Sequence, residues 1–304
     1  MKKLQHLSMA ALIFLLLAAC SGNTEEEAKD TAEKDAKTEE SDQVFKIGAI
    51  PDQNASDLNR SLSKMAEYIT EETGIKAEYV PSVDYAALVT AFERGEIDLA
   101  WFGGLTGVQA RNVAPETEAI AQRPMDEEFH SVFIAGADTG IESLEDLKGK
   151  SFTFGSESST SGHLMPRYFL EEAGLKPETD FDGHPNYSGS HDKTYKLVES
   201  GSFQAGALNV SVWDAAVAEK KVDTSKVKVF YTTPSYYDYH WTINKVDEKF
   251  GEGTKQKITD AVLAINSTDQ PEIMDLFQSE KFIETKNENY KAIEEVAKEL
   301  GIIK

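Results

Sequence analysis

Among the 304 residues there is one cysteine, Cys20, which excludes an internal disulfide and any cysteine-based metal cluster. Basic residues are scarce: 31 Lys and Arg stand against 53 Asp and Glu, for a formal charge of −22. A surface of that sign cannot neutralise nucleic-acid phosphates, which takes clustered Lys and Arg, and it repels an anionic bilayer. The leading apolar run, Leu12 to Leu17, is too short to span a bilayer as a stable helix. Several catalytic signatures are missing too. There is no GxxxxGK[ST] loop for nucleotide phosphates and Mg²⁺, no HExxH for zinc and no Gly-x-Ser-x-Gly elbow for a serine nucleophile. His130, His163, His184, His191 and His240 are scattered without any tight pair. No cofactor and no metal is expected, and a catalytic centre has no support.

What is present begins at the N-terminus. Met1, Lys2 and Lys3 precede the apolar run, and Ala18 and Ala19 lead into Cys20, the pattern of a secretory signal over residues 1–19. Leu17-Ala18-Ala19-Cys20 resembles the bacterial lipobox, in which the cysteine is diacylated and becomes the first mature residue. Two or three acyl chains suffice for stable anchoring at ~0.8 kcal/mol per buried CH₂. The expected localisation is therefore extracytoplasmic, lipid-anchored to the bacterial cell membrane through Cys20. Residues 21–43 hold nine acids and three lysines with no aliphatic larger than Ala, so nothing in them offsets the entropy of ordering. With Cys20 they form a disordered strap, residues 20–43, of roughly 25 Å root-mean-square span.

The remaining 261 residues fit two α/β domains. β-Rich runs such as Phe45 to Ile50, Ile97 to Phe102 and Ala205 to Leu208 alternate with helical patterns such as Asn54 to Thr73, where Leu58, Leu62, Met65 and Ile69 recur at 3.6-type spacing. This alternation predicts units built on a largely parallel sheet. The pattern restarts after Ala135, and Ser131 to Ala135 and Tyr239 to Ile243 read as two extended crossings. Lobe 1 is assigned residues 44–133 and 241–304, and lobe 2 residues 134–240. The tail from Lys249 to Ile302 reads as mostly helical.

Polar turns between a strand and a helix start recur, and in open α/β sheets such junctions lie where ligands bind. The densest is Ser156-Glu157-Ser158-Ser159-Thr160-Ser161-Gly162: four consecutive hydroxyls beside unpaired helix-start amides form a donor-rich cup for a tetrahedral oxyanion. Read alone, it is equally an ordinary N-cap. Ser188-Gly189-Ser190-His191-Asp192 offers hydroxyl, amide and imidazole donors. Trp101-Phe102-Gly103-Gly104-Leu105-Thr106-Gly107 offers close backbone approach at Phe102 and Gly103 and one hydroxyl, Thr106. Asp84-Tyr85 opens a further helix, and Asn209 and Trp213 follow a strand end.

The segments DYAALVTAFERGEIDLAWFGG, SFTFGSESSTSGHLMPRYFL, SGSHDKTYKLVESG and AGALN resemble the phosphate/phosphite/phosphonate-binding components of ABC importers over about residues 45 to 300. Within that family the chain is most similar to the subgroup labelled selenate-binding proteins. The resemblance implies a type II periplasmic-binding fold, in which two α/β lobes joined by two hinge strands hold an oxyanion between them. It implies that Tyr85 reaches the anion from lobe 1, that Ser158, Ser159, Thr160 and Ser161 form the cup of lobe 2, and that His191 donates to an anion oxygen. Relatives place a tyrosine beyond the glycine after Phe102, whereas here only Thr106 offers a hydroxyl. No acid for a ligand amine is evident near Asn209 and Trp213, which gives weight to a small inorganic oxyanion. The implied role is capture without conversion by a monomer serving permease and ATPase subunits. A lipid-anchored hydrolase and a sensory lipoprotein on the same scaffold are the alternatives.

Overall fold

Asn54 accepts hydrogen bonds from the amides of Ser56 and Asp57 and so starts helix α1, Ala55–Thr73, whose buried face carries Leu58, Leu62, Met65 and Ile69. Gly74, at φ 69°, stops it in the left-handed region that glycine enters without steric cost. These are the first elements after strand β1, Phe45–Ala49, in a computed structural model that describes residues 43–304. The signal peptide, Cys20 and the acidic strap up to residue 42 lie outside the described residues.

Lobe 1 continues through β2, Ala77–Tyr79, α2, Tyr85–Glu93, β3, Leu99–Phe102, α3, Gly104–Val113, and β4, Glu118–Gln122. The chain then crosses to lobe 2: β5, Ser131–Gly136, β6, Phe152–Phe154, a π-helical turn over Thr160–Leu164, α4, Met165–Glu172, α5, Pro177–Asp180, β7, Asn186–Tyr187, α6, His191–Glu199, β8, Ala205–Asn209, α7, Val210–Ala218, and β9, Val227–Thr232. It returns through β10, His240–Ile243, and finishes lobe 1 with α8, Val246–Phe250, α9, Thr254–Ala264, α10, Pro271–Phe277, β11, Ile283–Glu284, and α11, Lys291–Glu299. The tail is thus less continuous than its composition promises. Pro271 fixes a new helix start, and Gln278, at φ 48°, ends that helix before β11.

Sheet one has the order β11-β4-β10-β3-β1-β2 and sheet two β7-β6-β8-β5-β9. Both are mixed rather than largely parallel. β1 runs parallel to β2 and β3, and β6 to β7 and β8, whereas β10 and β5 lie antiparallel to their neighbours. The reason is connectivity: β5 and β10 are the first strands after each crossing, and they enter their sheets from the other lobe. β5 pairs from Ser131 to Ala135 with β8, and His240 pairs with Phe102. The crossings themselves are therefore residues 123–130 and 233–239, outside the sheets. They are held together where Phe129 and Tyr236 exchange backbone hydrogen bonds of 2.8 and 3.0 Å.

Each sheet buries apolar faces under its helices. Phe45, Ile47, Leu62, Phe92 and Tyr290 belong to the lobe 1 core, and Phe133, Phe152, Phe154 and Leu170 to a lobe 2 core. Fully burying such side chains contributes ~1.5–3 kcal/mol each, which fixes the strand ends that point toward the other lobe.

Candidate functional site

The carboxyl ends of β1, β3, β6, β7 and β8 converge where the lobes meet, and the contacts there are direct. Thr160 Oγ1 accepts from the Leu105 amide at 2.9 Å, and the His191 amide donates to the Asp52 carbonyl at 2.9 Å. A β-carbon at Gly103 would sit 3.0 Å from Thr160 Oγ1 and 3.1 Å from Asp238 Oδ1, so glycine is what permits this approach. Further out, Lys221 Nζ lies 3.9 Å from Asp57 Oδ2 across the mouth of the cleft, beside a cavity of about 480 Å³ lined by both lobes.

Among the sequence-selected residues, seven come together. Asp84 caps α2 through the Ala87 amide and so aims Tyr85 inward; Tyr85 is buried, and its hydroxyl, beside Ser159, has no hydrogen-bond partner of normal geometry. Gly103 precedes the amides that open α3. Ser159 caps the π-turn by accepting from the Gly162 amide at 2.9 Å. Thr160 bridges to α3, and Ser161 Oγ is buried without a partner. Asn209 caps α7 through the Val212 amide and donates through Nδ2 to Tyr239 Oη at 2.9 Å.

His191 is fully buried, and burial lowers its pKa to about 3, so the ring is neutral. The Asn209 amide donates to Nδ1 at 3.3 Å, which leaves the proton on Nε2, 3.2 Å from Tyr239 Oη. Both ring nitrogens are thus engaged within the protein, while Cε1 lies 3.0 Å from where a β-carbon on Gly162 would stand, against the cup.

Four expected residues do not join this cluster. The Phe102 ring is core, edge-on to Phe92 at 5.3 Å. Thr106 closes its hydroxyl on Gly103, accepting from that residue's amide at 2.9 Å, so it is spent on capping α3. Ser158 is only half-buried and faces an outer groove with Ala86, Val89 and Lys304. Trp213 packs into a second lobe 2 core with Val132, Ile134, Tyr195 and Leu208. The reason is common to Phe102 and Trp213: large apolar rings at a strand end or in the first turn of a helix are drawn beneath the sheet rather than into a polar cleft.

In their place the fold brings in two buried acids, Asp238 and Asp52. Asp238, on the second crossing, is fully buried; its Oδ1 accepts from the Gly104 amide at 2.9 Å and its Oδ2 has no partner. The Thr160 and Ser161 hydroxyls lie beside it, yet burial dominates and pushes its pKa up to about 7. Asp52, at the end of β1, is raised to about 6 by burial, with the Tyr239 hydroxyl and the Arg123 guanidinium pulling the other way; its Oδ1 is also unpartnered. Arg123 is fixed by Asp126, with Nε–Oδ2 at 2.8 Å and Nη2–Oδ1 at 2.6 Å, and lies over the Tyr239 and Trp101 rings at 5.1 and 5.5 Å. The available signal was the run Tyr236-Tyr237-Asp238-Tyr239-His240: an acid inside so aromatic a stretch has no solvated face to sit on.

Two sheets, two crossings, and unpartnered hydroxyls and carboxyl oxygens gathered between the lobes define a cleft suited to holding a small polar ligand. Residues 47–290 match the family described as ABC transporter, phosphonate, periplasmic substrate-binding protein, and the chain belongs to that family. It is 40% identical over 270 residues, 86% of this chain and 91% of the relative, to a probable ABC transporter phosphite-binding protein of Prochlorococcus marinus. The structure of that organism's PhnD1 in complex with methylphosphonate matches at a TM-score of 0.83, covering 86% of this chain and 99% of the other at 40% identity. A phosphate-import protein of Mycolicibacterium smegmatis is 31% identical over 221 residues, 69% of this chain and 67% of its own. A phosphonate-transporter binding component of Pseudomonas aeruginosa, 21% identical with a TM-score of 0.74 over 83% of this chain and 85% of its own, shares the fold. The chain is accordingly an extracytoplasmic substrate-binding component of an ABC importer.

Proposed function

We propose that the protein captures a phosphorus oxyanion that still carries a proton, such as phosphite or methylphosphonate, and hands it unchanged to a permease. The observation that carries this reading is the buried Asp238 carboxyl with Oδ2 unpartnered, beside the equally unpartnered Ser161 hydroxyl, with the unpartnered Tyr85 hydroxyl next to Ser159 in the same cup. A carboxyl inside an anion site repels a fully ionised guest but accepts a hydrogen bond from a P–O–H group, and its elevated pKa, about 7, lets one proton serve both partners. The remaining oxygens meet neutral donors: Tyr85 Oη, Ser161 Oγ and the leading amides of the π-turn. Each such bond to the anion is worth ~1.5–3 kcal/mol. The names of the relatives, a phosphite-binding protein and a structure holding methylphosphonate, support the same chemistry. Selenate, the other candidate, is fully ionised at neutral pH and meets Asp238 as a like charge.

Tyr85, Gly103, Ser159, Thr160, Ser161, His191 and Asn209 thus form the site together with Asp238, Asp52 and Tyr239. The protein acts as a monomer whose lobes turn about residues 123–130 and 233–239. It is tethered by lipid on Cys20, a reading supported by the Leu17-Ala18-Ala19-Cys20 motif. No helix among the described residues is long and apolar enough to cross a membrane.

Calorimetry against phosphite, methylphosphonate, phosphate, sulfate and selenate tests the ligand. Phosphite or methylphosphonate binds tightly at pH 6.5, and affinity declines as the P–O–H group ionises toward pH 8.5. Tight, pH-independent binding of selenate overturns the reading. Cys20→Ser moves the protein from the membrane fraction to the soluble one if the tether is lipid.

A further inference from the structure

The same helix that holds the Asp238 carboxyl also reaches its main chain by a second route. At its start, α3 donates the Gly104 amide to Asp238 Oδ1 at 2.9 Å. Two turns on, Arg111 Nη1 lies 3.0 Å from His240 Nε2, and His240 Nδ1 lies 3.0 Å from the Asp238 carbonyl oxygen. A guanidinium has donors only, so Nε2 must accept, the ring proton must sit on Nδ1, and Nδ1 must donate to Asp238. The ring cannot drift. Tyr290 packs on it at 3.8 Å between centroids, and on the α3 side a β-carbon at Gly107 would come within 2.2 Å of Nε2, so only glycine fits there. From the other direction, the Asp238 amide donates to the Asp126 carbonyl at 3.1 Å.

Asp238 is therefore held at its amide, its carbonyl and one carboxyl oxygen, and the side chain has two rotatable bonds. With those three points fixed, Oδ2 has one direction left. We propose that His240, locked by Arg111 into the Nδ1-protonated tautomer, is a positioning residue that keeps Asp238 Oδ2 aimed at the bound anion and so sustains discrimination for protonated over fully ionised oxyanions. The inference rests on the reading of Asp238 as the ligand's proton acceptor. Burial and the Arg111 charge hold the His240 pKa well below the ordinary histidine value, so the neutral ring persists across the working pH range.

Two measurements on the full chain test it. Nitrogen-15 NMR of histidine-labelled protein shows His240 with a protonated Nδ1 and a bare Nε2; the opposite tautomer, or rapid averaging of the two, overturns the proposal. Calorimetry with phosphite and sulfate at pH 7 then reads selectivity. His240→Asn places an amide nitrogen where Nδ1 stands and retains the phosphite-to-sulfate ratio within about threefold, whereas His240→Leu lowers it by about tenfold. If the leucine variant does not fold, Arg111→Met decides, since it frees the tautomer and also lowers the ratio. An unchanged ratio in a folded His240→Leu or Arg111→Met protein overturns the proposal. Failure of the wild-type protein to bind phosphite, methylphosphonate or phosphate instead overturns the functional reading, while the tautomer measurement still tells whether His240 is locked.

Discussion

Thr160 Oγ1, at the start of the π-turn in lobe 2, accepts a 2.9 Å hydrogen bond from the amide of Leu105, in the first turn of α3 in lobe 1. Both residues are buried where the lobes meet, and in the opening proposed above each group would pair with water instead. Thr160→Val keeps the shape but leaves the Leu105 amide unpaired in the closed form alone, at a cost of about 1–3 kcal/mol. The expected result is a shift toward the open form, seen as a larger radius of gyration in small-angle scattering, and ligand affinity weakened roughly 5- to 150-fold by the same population change. Unaltered scattering and affinity would refute the bond's role in closure.

Tyr85 gives the opposite balance between fold and function. Its hydroxyl is buried without a partner, a state that costs free energy in the free protein and that the proposed ligand oxygen would relieve. Tyr85→Phe should therefore leave the melting temperature of the free protein unchanged or raise it. It should weaken the bound anion by ~1.5–3 kcal/mol, about 10- to 150-fold. Calorimetry paired with thermal melts separates the two, and a fall in free-protein stability with affinity intact would remove Tyr85 from the site.

Asp238 couples the free protein's stability to pH. Its folded pKa, about 7, lies above the ordinary 3.8, so the folded state holds the proton more tightly than the unfolded chain does. Stability then falls as pH rises from 3.8 through 7, and the full penalty, a few kcal/mol, is present above 7. Asp238→Asn, whose Oδ1 still accepts from Gly104, should melt several degrees higher than wild type at pH 8, with the gap closing toward pH 4. A gap that stays constant with pH would show that the carboxyl is not the titrating group. With ligands, the same variant should lose phosphite affinity and accept sulfate or selenate better, because the amide now donates where the carboxyl accepted.

The sequence shows its elements best where punctuation is local. Asn54, Asp84 and Asn209 cap the helices they precede, and the 3.6-type spacing in α1 matches its buried face. The Ser/Thr cup is legible for the same reason, since a hydroxyl run at a strand-to-helix junction signals its own surroundings. What a linear reading cannot supply is what arrives from 78 residues away. Asp238 meets Thr160 only because the second crossing returns beside the first, and its neighbours on the chain, all aromatic rings or imidazole, gave the one hint that it is buried. Phe102, Thr106 and Trp213 mislead for the converse reason. Each lies next to a true junction, but the first and third have apolar surface to bury, and the hydroxyl of the second is consumed by its own helix start.

The widened turn at Thr160 bears on how the anion is met. Its first rung closes from Leu164 back to Ser159 at 3.0 Å, one residue later than in an ordinary α-helix. Delaying that rung releases the His163 amide, which an α-helical start would have consumed. Ser159 already occupies the Gly162 amide, so a tighter coil would expose two leading N–H groups where this one exposes three. A single inserted step in the winding thus leaves one more N–H free at the start of this turn, where the proposed guest has oxygens on several sides.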